Sequence, residues 1–268
     1  MDTFSGDGYV IARIRAPDSD SNFSYIISCT ETSECAVIDP YDPIIILNYI
    51  REKSLSVKYI INTHCHPDHI KGNDPILKVT LSKILVHPLG IDLVSPRSGT
   101  VIDGDEIAVG KLTIEVIHTP GHCPEHLTLL MGDNVFTGDA LFLSGCGNLK
   151  HGGNAEQLFK SIETKLRSLP DSSRIFVGHD YSDANLGFTL SLEPSNREAK
   201  KKLDEINKMR SKGKDPAPTT VGEEKSYNPF FRLDSPEIIE ALRKKNKRLG
   251  SSPFSIFKEL RKERDRWK

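Results

Sequence analysis

The chain is poor in cysteine, and no two cysteines stand in a CxxC pair: Cys29, Cys35, Cys65, Cys123 and Cys146 are scattered and odd in number. That excludes a disulfide-stapled scaffold and a cysteine zinc knuckle, and it fits a reducing compartment. No apolar run is long enough to span a bilayer, and the N-terminal MDTFSGDGYV has neither an apolar signal core nor an Arg-rich amphipathic stretch. A cytoplasmic protein without membrane contact is expected. Charge of neither sign dominates: 36 Lys+Arg against 37 Asp+Glu give a formal net charge of -1, which argues against nucleic-acid binding. There is no G-x-S-x-G elbow and no local cysteine-hydrolase signature, so no side-chain nucleophile is marked.

What is present is a chain of 268 residues, long enough to bury a sizeable core as one large domain or as a domain with a smaller partner. Through the first two-thirds, short runs rich in β-branched residues read as strands: YVIARI, FSYIISC, CAVID, VKYIIN, KILVH, KLTIEVI, LTLLM, NVFTG and RIFVG. Helical character interrupts them at Pro43 to Lys53 and at Ala155 to Leu169. After about Asp180 the texture changes to charged helical segments, NREAKKKLDEINKMR, EIIEALRKKNKR and FSIFKELRKERDRWK. The split is also electrostatic, since residues 181 to 268 carry 21 Lys+Arg against 14 Asp+Glu, and residues 1 to 180 carry 15 against 23. The pattern predicts an α+β body over residues 1–180 and a basic helical domain over residues 181–268, suited to an anionic ligand.

The central motif is Thr63-His64-Cys65-His66-Pro67-Asp68-His69, directly after an apolar strand. An HxHxDH hexamer arises by chance in on the order of one such chain in a thousand. In extended backbone alternate residues face the same way, so His64 and His66 converge while Cys65 points away. Pro67 suits the first turn of a helix, which redirects Asp68 and His69 toward a second centre. Imidazole and carboxylate suit zinc, iron or manganese. His122, Asp139 and His179 each follow an apolar strand and a glycine, and are the candidates for the remaining ligands. His87, His118 and His151 lack motif partners, and His126 reads as a supporting residue.

In this order THCHPDH, TPGH, FTGDALF and GHDY resemble the metallo-β-lactamase superfamily, whose fold is an αβ/βα sandwich, over roughly residues 8 to 181. The resemblance implies that His64, His66, His122 and Asp139 hold one metal and that Asp68, His69, Asp139 and His179 hold the other, with Asp139 bridging. Two divalent ions per chain are expected, zinc first and iron or manganese compatible. Such a pair can activate water and polarise a carbonyl, with Asp68 orienting the hydroxide between them.

Further along, Gly145-Cys146-Gly147, Gly178-His179-Asp180-Tyr181, Tyr227-Asn228-Pro229-Phe230-Phe231-Arg232 and Arg261-Lys262-Glu263-Arg264-Asp265 resemble glyoxalase II, the hydroxyacylglutathione hydrolases, over nearly the whole chain. This implies hydrolysis of S-D-lactoylglutathione to D-lactate and glutathione; a monomer is expected. Tyr181 would contact the peptide part of the substrate, and Arg261 and Arg264 would receive its glycine carboxylate. The chain departs from the family at Asn148 and Lys150, where lysine and then tyrosine are common among the glutathione contacts. The competing reading is a persulfide dioxygenase with one iron on His64, His122 and Asp139.

Overall fold

The computed structural model describes residues 1–17, 21–94 and 98–267, so the final Lys268 of the last charged segment lies outside the described residues. The first half contains β1 (Asp2–Gly6), β2 (Tyr9–Arg15), β3 (Phe23–Cys29), β4 (Glu34–Ile38), α1 (Pro43–Glu52), β5 (Ser56–Ile61), α2 (Pro67–Ile70), α3 (Asn73–Val79), β6 (Lys83–Val86) and β7 (Ser98–Thr100). These strands form one sheet in sequential order, antiparallel from β1 to β4 and parallel from β4 to β7.

The second half begins with β8 (Glu106–Val109), β9 (Leu112–His118), β10 (Leu127–Met131), β11 (Asn134–Gly138), β12 (Leu141–Phe142) and β13 (Gly145–Cys146). It continues through α4 (Ala155–Lys160), extended by a π-helical stretch over Ser161–Leu166, then β14 (Arg174–Val177), α5 (Ser182–Leu192), α6 (Arg197–Arg210), β15 (Thr219–Thr220), α7 (Val221–Tyr227), α8 (Pro236–Lys245) and α9 (Pro253–Arg266). The second sheet runs β15-β14-β11-β10-β9-β8, and β12 and β13 make a separate small hairpin.

Alternation explains how the layers stack. Along β3, Phe23, Tyr25 and Ile27 enter the core between the sheets, where they meet Val116, Leu129, Phe136 and Phe176 from the second sheet. Ile26 belongs to the opposite face and joins Val37, Ile60 and Ile84 in packing against Ile46, Tyr49 and Ile50 of α1 and Ile76 of α3. The outer face of the second sheet offers Ile175 to Leu158, Ile162 and the C-terminal helices through Phe188, Phe230, Phe257 and Leu260. The result is the expected αβ/βα sandwich. At about 25 cal/mol per Å² of apolar surface, these three interfaces are its main source of stability.

All of the strands expected from the sequence form. Beyond them, β1, β7, β8, β12, β13 and β15 are two to five residues long, too short for alternation to mark them.

The YNPFFR segment locks the helical half to the site-bearing hairpin. Phe230 and Phe231 are buried in the outer core, and Asn228 Nδ2 donates to the carbonyls of Phe142 and Gly145 and to Glu224 Oε2. Glu224 Oε2 also accepts from the Ser144 amide. Burial pushes the Glu224 carboxyl up from the usual 4.5 to about 7, against the lowering effect of these hydrogen bonds. Because the folded-state value lies above the unfolded one, the stability Glu224 contributes is complete below about pH 4.5 and is lost as the pH rises through about 7. Glu224→Gln is therefore expected to abolish a pH-dependent loss of about 3 kcal/mol between those limits, read from unfolding free energies of both proteins against pH.

Candidate metal centre

The chain leaves β5 in extended conformation, and His66, at φ -65° and ψ 147°, precedes Pro67 at the start of α2. The His64 and His66 rings lie 4.5 Å apart, whereas the Cys65 thiol points to the Gly90 carbonyl at 3.6 Å. Asp68 and His69 project from the short helix. His122 comes from the β9–β10 loop, Asp139 from the end of β11 and His179 from the end of β14, so strand ends of both sheets meet at one edge of the sandwich.

Metal-capable side chains group as Asp39, His64 and His69, and as two further triads, His64, His66 and His122, and Asp68, His69 and His179, with the ligand atoms of each group within 4.8 Å of one another. Asp139 faces the latter two. Its Oδ2 lies 3.7 Å from His122 Nε2 and 3.5 Å from His179 Nε2, and its Oδ1 lies 3.5 Å from His69 Nε2. All seven expected ligand positions are thereby brought together.

The outward ring nitrogens fix the inward ones. The Asn148 carbonyl, which can only accept, lies 2.7 Å from His122 Nδ1, so that nitrogen carries the proton and Nε2 turns its lone pair inward. Asp39 Oδ2 does the same for His69 Nδ1 at 3.0 Å. Thr63 Oγ1 donates to Asp39 Oδ2 and so accepts from His64 Nδ1. Ring nitrogens consequently crowd together at short range, His122 Nε2 being 3.0 Å from His66 Nδ1 and His69 Nε2 3.1 Å from His179 Nε2. His64 Nε2 and Asp139 Oδ1 are buried with no hydrogen-bond partner among the described residues. Crowded ring nitrogens and orphaned buried acceptors are costly without a cation, and this donor set fits divalent metal.

Titration separates the rings of the cluster. Burial, reinforced by the neighbouring imidazoles, holds His64 well below its usual range and brings His66 down to about 4, leaving both neutral as ligation requires. Burial works to lower His69 too, but Asp139, Asp39 and Asp68 overcome it and raise that ring to about 9, so a metal ion taken up at Nε2 would displace a proton. Asp68 is held well below the usual carboxylate range: burial opposes this, and the hydrogen bonds from His179 and Asn22 together with the charge of His69 outweigh it.

Several supporting residues escaped the sequence reading. Asp39, at the end of β4, binds the Thr63 amide through Oδ1 at 2.7 Å besides orienting His69, and holds a left-handed φ of 47°. Asn22 Nδ2 donates to Asp68 Oδ2 at 3.0 Å. His126 Nε2 accepts the Asp139 amide at 3.1 Å, in keeping with its expected supporting role. His151, which the sequence left without a partner, stands edge-on to His66 with ring centroids 5.2 Å apart. His87 and His118 stack on each other instead, at 4.1 Å.

A Cβ added to Gly178 would lie 2.4 Å from Asp139 Oδ1. Gly178→Ala is expected to displace that carboxylate and lower kcat/KM by at least about tenfold, as loss of a ligand's orientation does, measurable by steady-state kinetics.

Beside the metal-capable cluster lies a cleft of about 330 Å³ whose lining includes Asn148, Lys150, Tyr181, Arg261 and Arg264, the five positions expected to bind substrate, together with Asn185 and Trp267. The Tyr181 ring stacks on His179 with centroids 5.0 Å apart, so the cleft opens onto the cluster. Arg264 Nε donates to Asn185 Oδ1 at 3.0 Å. Arg261 differs from Arg264 in being buried, with its guanidinium engaged by Cys146 O, Gly147 O and Asp265.

The family model described as metallo-beta-lactamase superfamily matches residues 18–179, and that described as hydroxyacylglutathione hydrolase C-terminus matches residues 180–267. A hydroxyacylglutathione hydrolase of Nitrosococcus oceani is 37% identical over 255 residues, covering 92% of this chain and 95% of its own. A cytoplasmic hydroxyacylglutathione hydrolase of Arabidopsis thaliana is 35% identical over 259 residues, covering 94% and 97%. Among solved structures, ETHE1 from Myxococcus xanthus superposes with a TM-score of 0.67 at 28% identity, covering 96% of this chain and 99% of that one.

Proposed function

The chain belongs to the hydroxyacylglutathione hydrolases of the metallo-β-lactamase superfamily, and from that membership we propose that it is a two-metal thioesterase cleaving S-(2-hydroxyacyl)glutathione. The observation that carries the two-metal reading is the placement of Asp139 between two triads of inward-facing ligand atoms. His64, His66, His122 and Asp139 would hold one ion, and Asp68, His69, His179 and Asp139 the other. When bound, the pair supplies a water nucleophile at neutral pH and Lewis-acid polarisation of the thioester carbonyl, zinc being the first choice and iron or manganese compatible with the same donors.

The chain's own residues do the rest. Asp68, held by Asn22 and partly exposed, orients the attacking water. Tyr181, braced on His179, lines the path of the peptide moiety, and Arg264 and Lys150 offer positive charge to the carrier's carboxylate, Lys150 offsetting the neutral Asn148. In this reading residues 1–180 carry the chemistry, and residues 181–268 bind the carrier together with Asn148 and Lys150 of the first domain. S-D-lactoylglutathione, the thioester of methylglyoxal detoxification, would yield D-lactate and glutathione, and the enzyme would act as a cytoplasmic monomer. Support for that location comes from the cytoplasmic Arabidopsis relative and from five free cysteines. Among the described residues no helix is long and apolar enough to cross a membrane.

The test is thiol release from S-D-lactoylglutathione by metal-replete protein, run beside oxygen uptake with glutathione persulfide. Thiol release abolished by a chelator supports the proposal. Oxygen uptake without thiol release would replace it with the single-iron dioxygenase reading.

A further inference from the structure

Arg261 sits on α9 yet is buried to 5% exposure, and its guanidinium is directed into the catalytic half of the molecule. Nη1 donates to the Cys146 carbonyl at 2.6 Å and to the Gly147 carbonyl at 3.3 Å. Nη2 pairs with Asp265 at 2.9 Å, one helical turn on. Nε is enclosed and has no partner among the described residues, so a ligand in the cleft does not reach it. The guanidinium also lies 5.5 Å over the Phe230 ring.

The segment that Arg261 grips backs directly onto a ligand position. A Cβ on Gly147 would stand 2.1 Å from the Asp139 carbonyl oxygen and 2.9 Å from His122 Nδ1. The next residue, Asn148, supplies the carbonyl that fixes His122 in the ligating tautomer at 2.7 Å. Two consecutive carbonyls are therefore held by one buried cation immediately before the carbonyl that aims the imidazole. Residues that orient a ligand from behind tune metal affinity.

We infer that Arg261 is a positioning residue for His122: the C-terminal helix, through the Cys146–Asn148 segment, sets the affinity of the His64/His66/His122 site. This rests on the two-metal reading proposed above.

Full-length wild type, Arg261→Met, Arg261→Lys and Arg264→Met, stripped of metal, would be titrated with zinc against a chromophoric chelator, with circular dichroism and thermal melting as the check on folding. Arg261→Met is expected to weaken one of two zinc equivalents by about 10- to 100-fold and leave the other near its wild-type value. Arg261→Lys, which can still reach one carbonyl, falls between, and it carries the test should the methionine variant not fold. Arg264→Met binds both equivalents like wild type and raises KM for S-D-lactoylglutathione at saturating zinc. Wild-type affinity for both equivalents in the Arg261 variants, together with a raised KM, would overturn the inference and make Arg261 a substrate contact. The zinc titration needs no turnover, so a wild-type protein that binds two zinc ions but releases no thiol would defeat the proposed function alone.

Discussion

Asp139→Asn is expected to lower kcat/KM by more than about 100-fold at saturating zinc, beyond the loss usual for a residue that merely orients a ligand. The two oxygens of Asp139 address both triads, with Oδ1 toward His69 and Oδ2 toward His122 and His179. An amide of the same shape keeps one acceptor and turns an N–H pair toward inward-facing lone pairs. The backbone should be undisturbed, because the Asp139 amide remains bonded to His126 Nε2. Thermal melting of the stripped protein should therefore change little while steady-state kinetics collapse. A variant retaining more than a tenth of wild-type kcat/KM would mean that the carboxylate is not shared.

Asp39→Asn is expected to combine a loss of stability with a loss of metal. Three donors converge on this buried carboxylate: the Thr63 amide on Oδ1, and Thr63 Oγ1 and His69 Nδ1 on Oδ2. Asparagine leaves one acceptor oxygen, so whichever way the amide turns, at least one buried donor faces another. The cost is about 3 kcal/mol, seen as a lower denaturation midpoint. Asparagine tolerates the left-handed backbone that Asp39 adopts, so the effect reports on hydrogen bonding rather than strain. With His69 no longer aimed, zinc affinity at the Asp68/His69/His179 site should fall by about 10- to 100-fold. Unchanged zinc binding would show that Asp39 serves the fold alone.

His64, His66, Asp68 and His69 of the metal-capable cluster were legible from spacing, whereas His122, Asp139 and His179, candidates by their strand-end positions, joined them through the family resemblance. Alternation in extended backbone places His64 beside His66, and a proline that starts a helix turns Asp68 and His69 elsewhere. Asp39 was not legible, since Ile38-Asp39-Pro40 reads as an ordinary strand end and neither its positive φ nor its reach to residue 69 leaves a local trace. Helix α5 escaped because its apolar residues lack a single face: Leu186, Phe188, Thr189 and Leu192 are buried, and Gly187 interrupts propensity. The state of Arg261 was hidden for another reason. On a helix crowded with charges, nothing in the sequence marks which guanidinium turns inward, and the carbonyls it meets lie 114 and 115 residues earlier.

The central claim is that two cations share one carboxylate, and activity restored to stripped protein by stepwise zinc addition tests it most directly. Thiol release from S-D-lactoylglutathione should climb until about two equivalents per chain are bound and then level off. Full activity at a single equivalent would contradict the account.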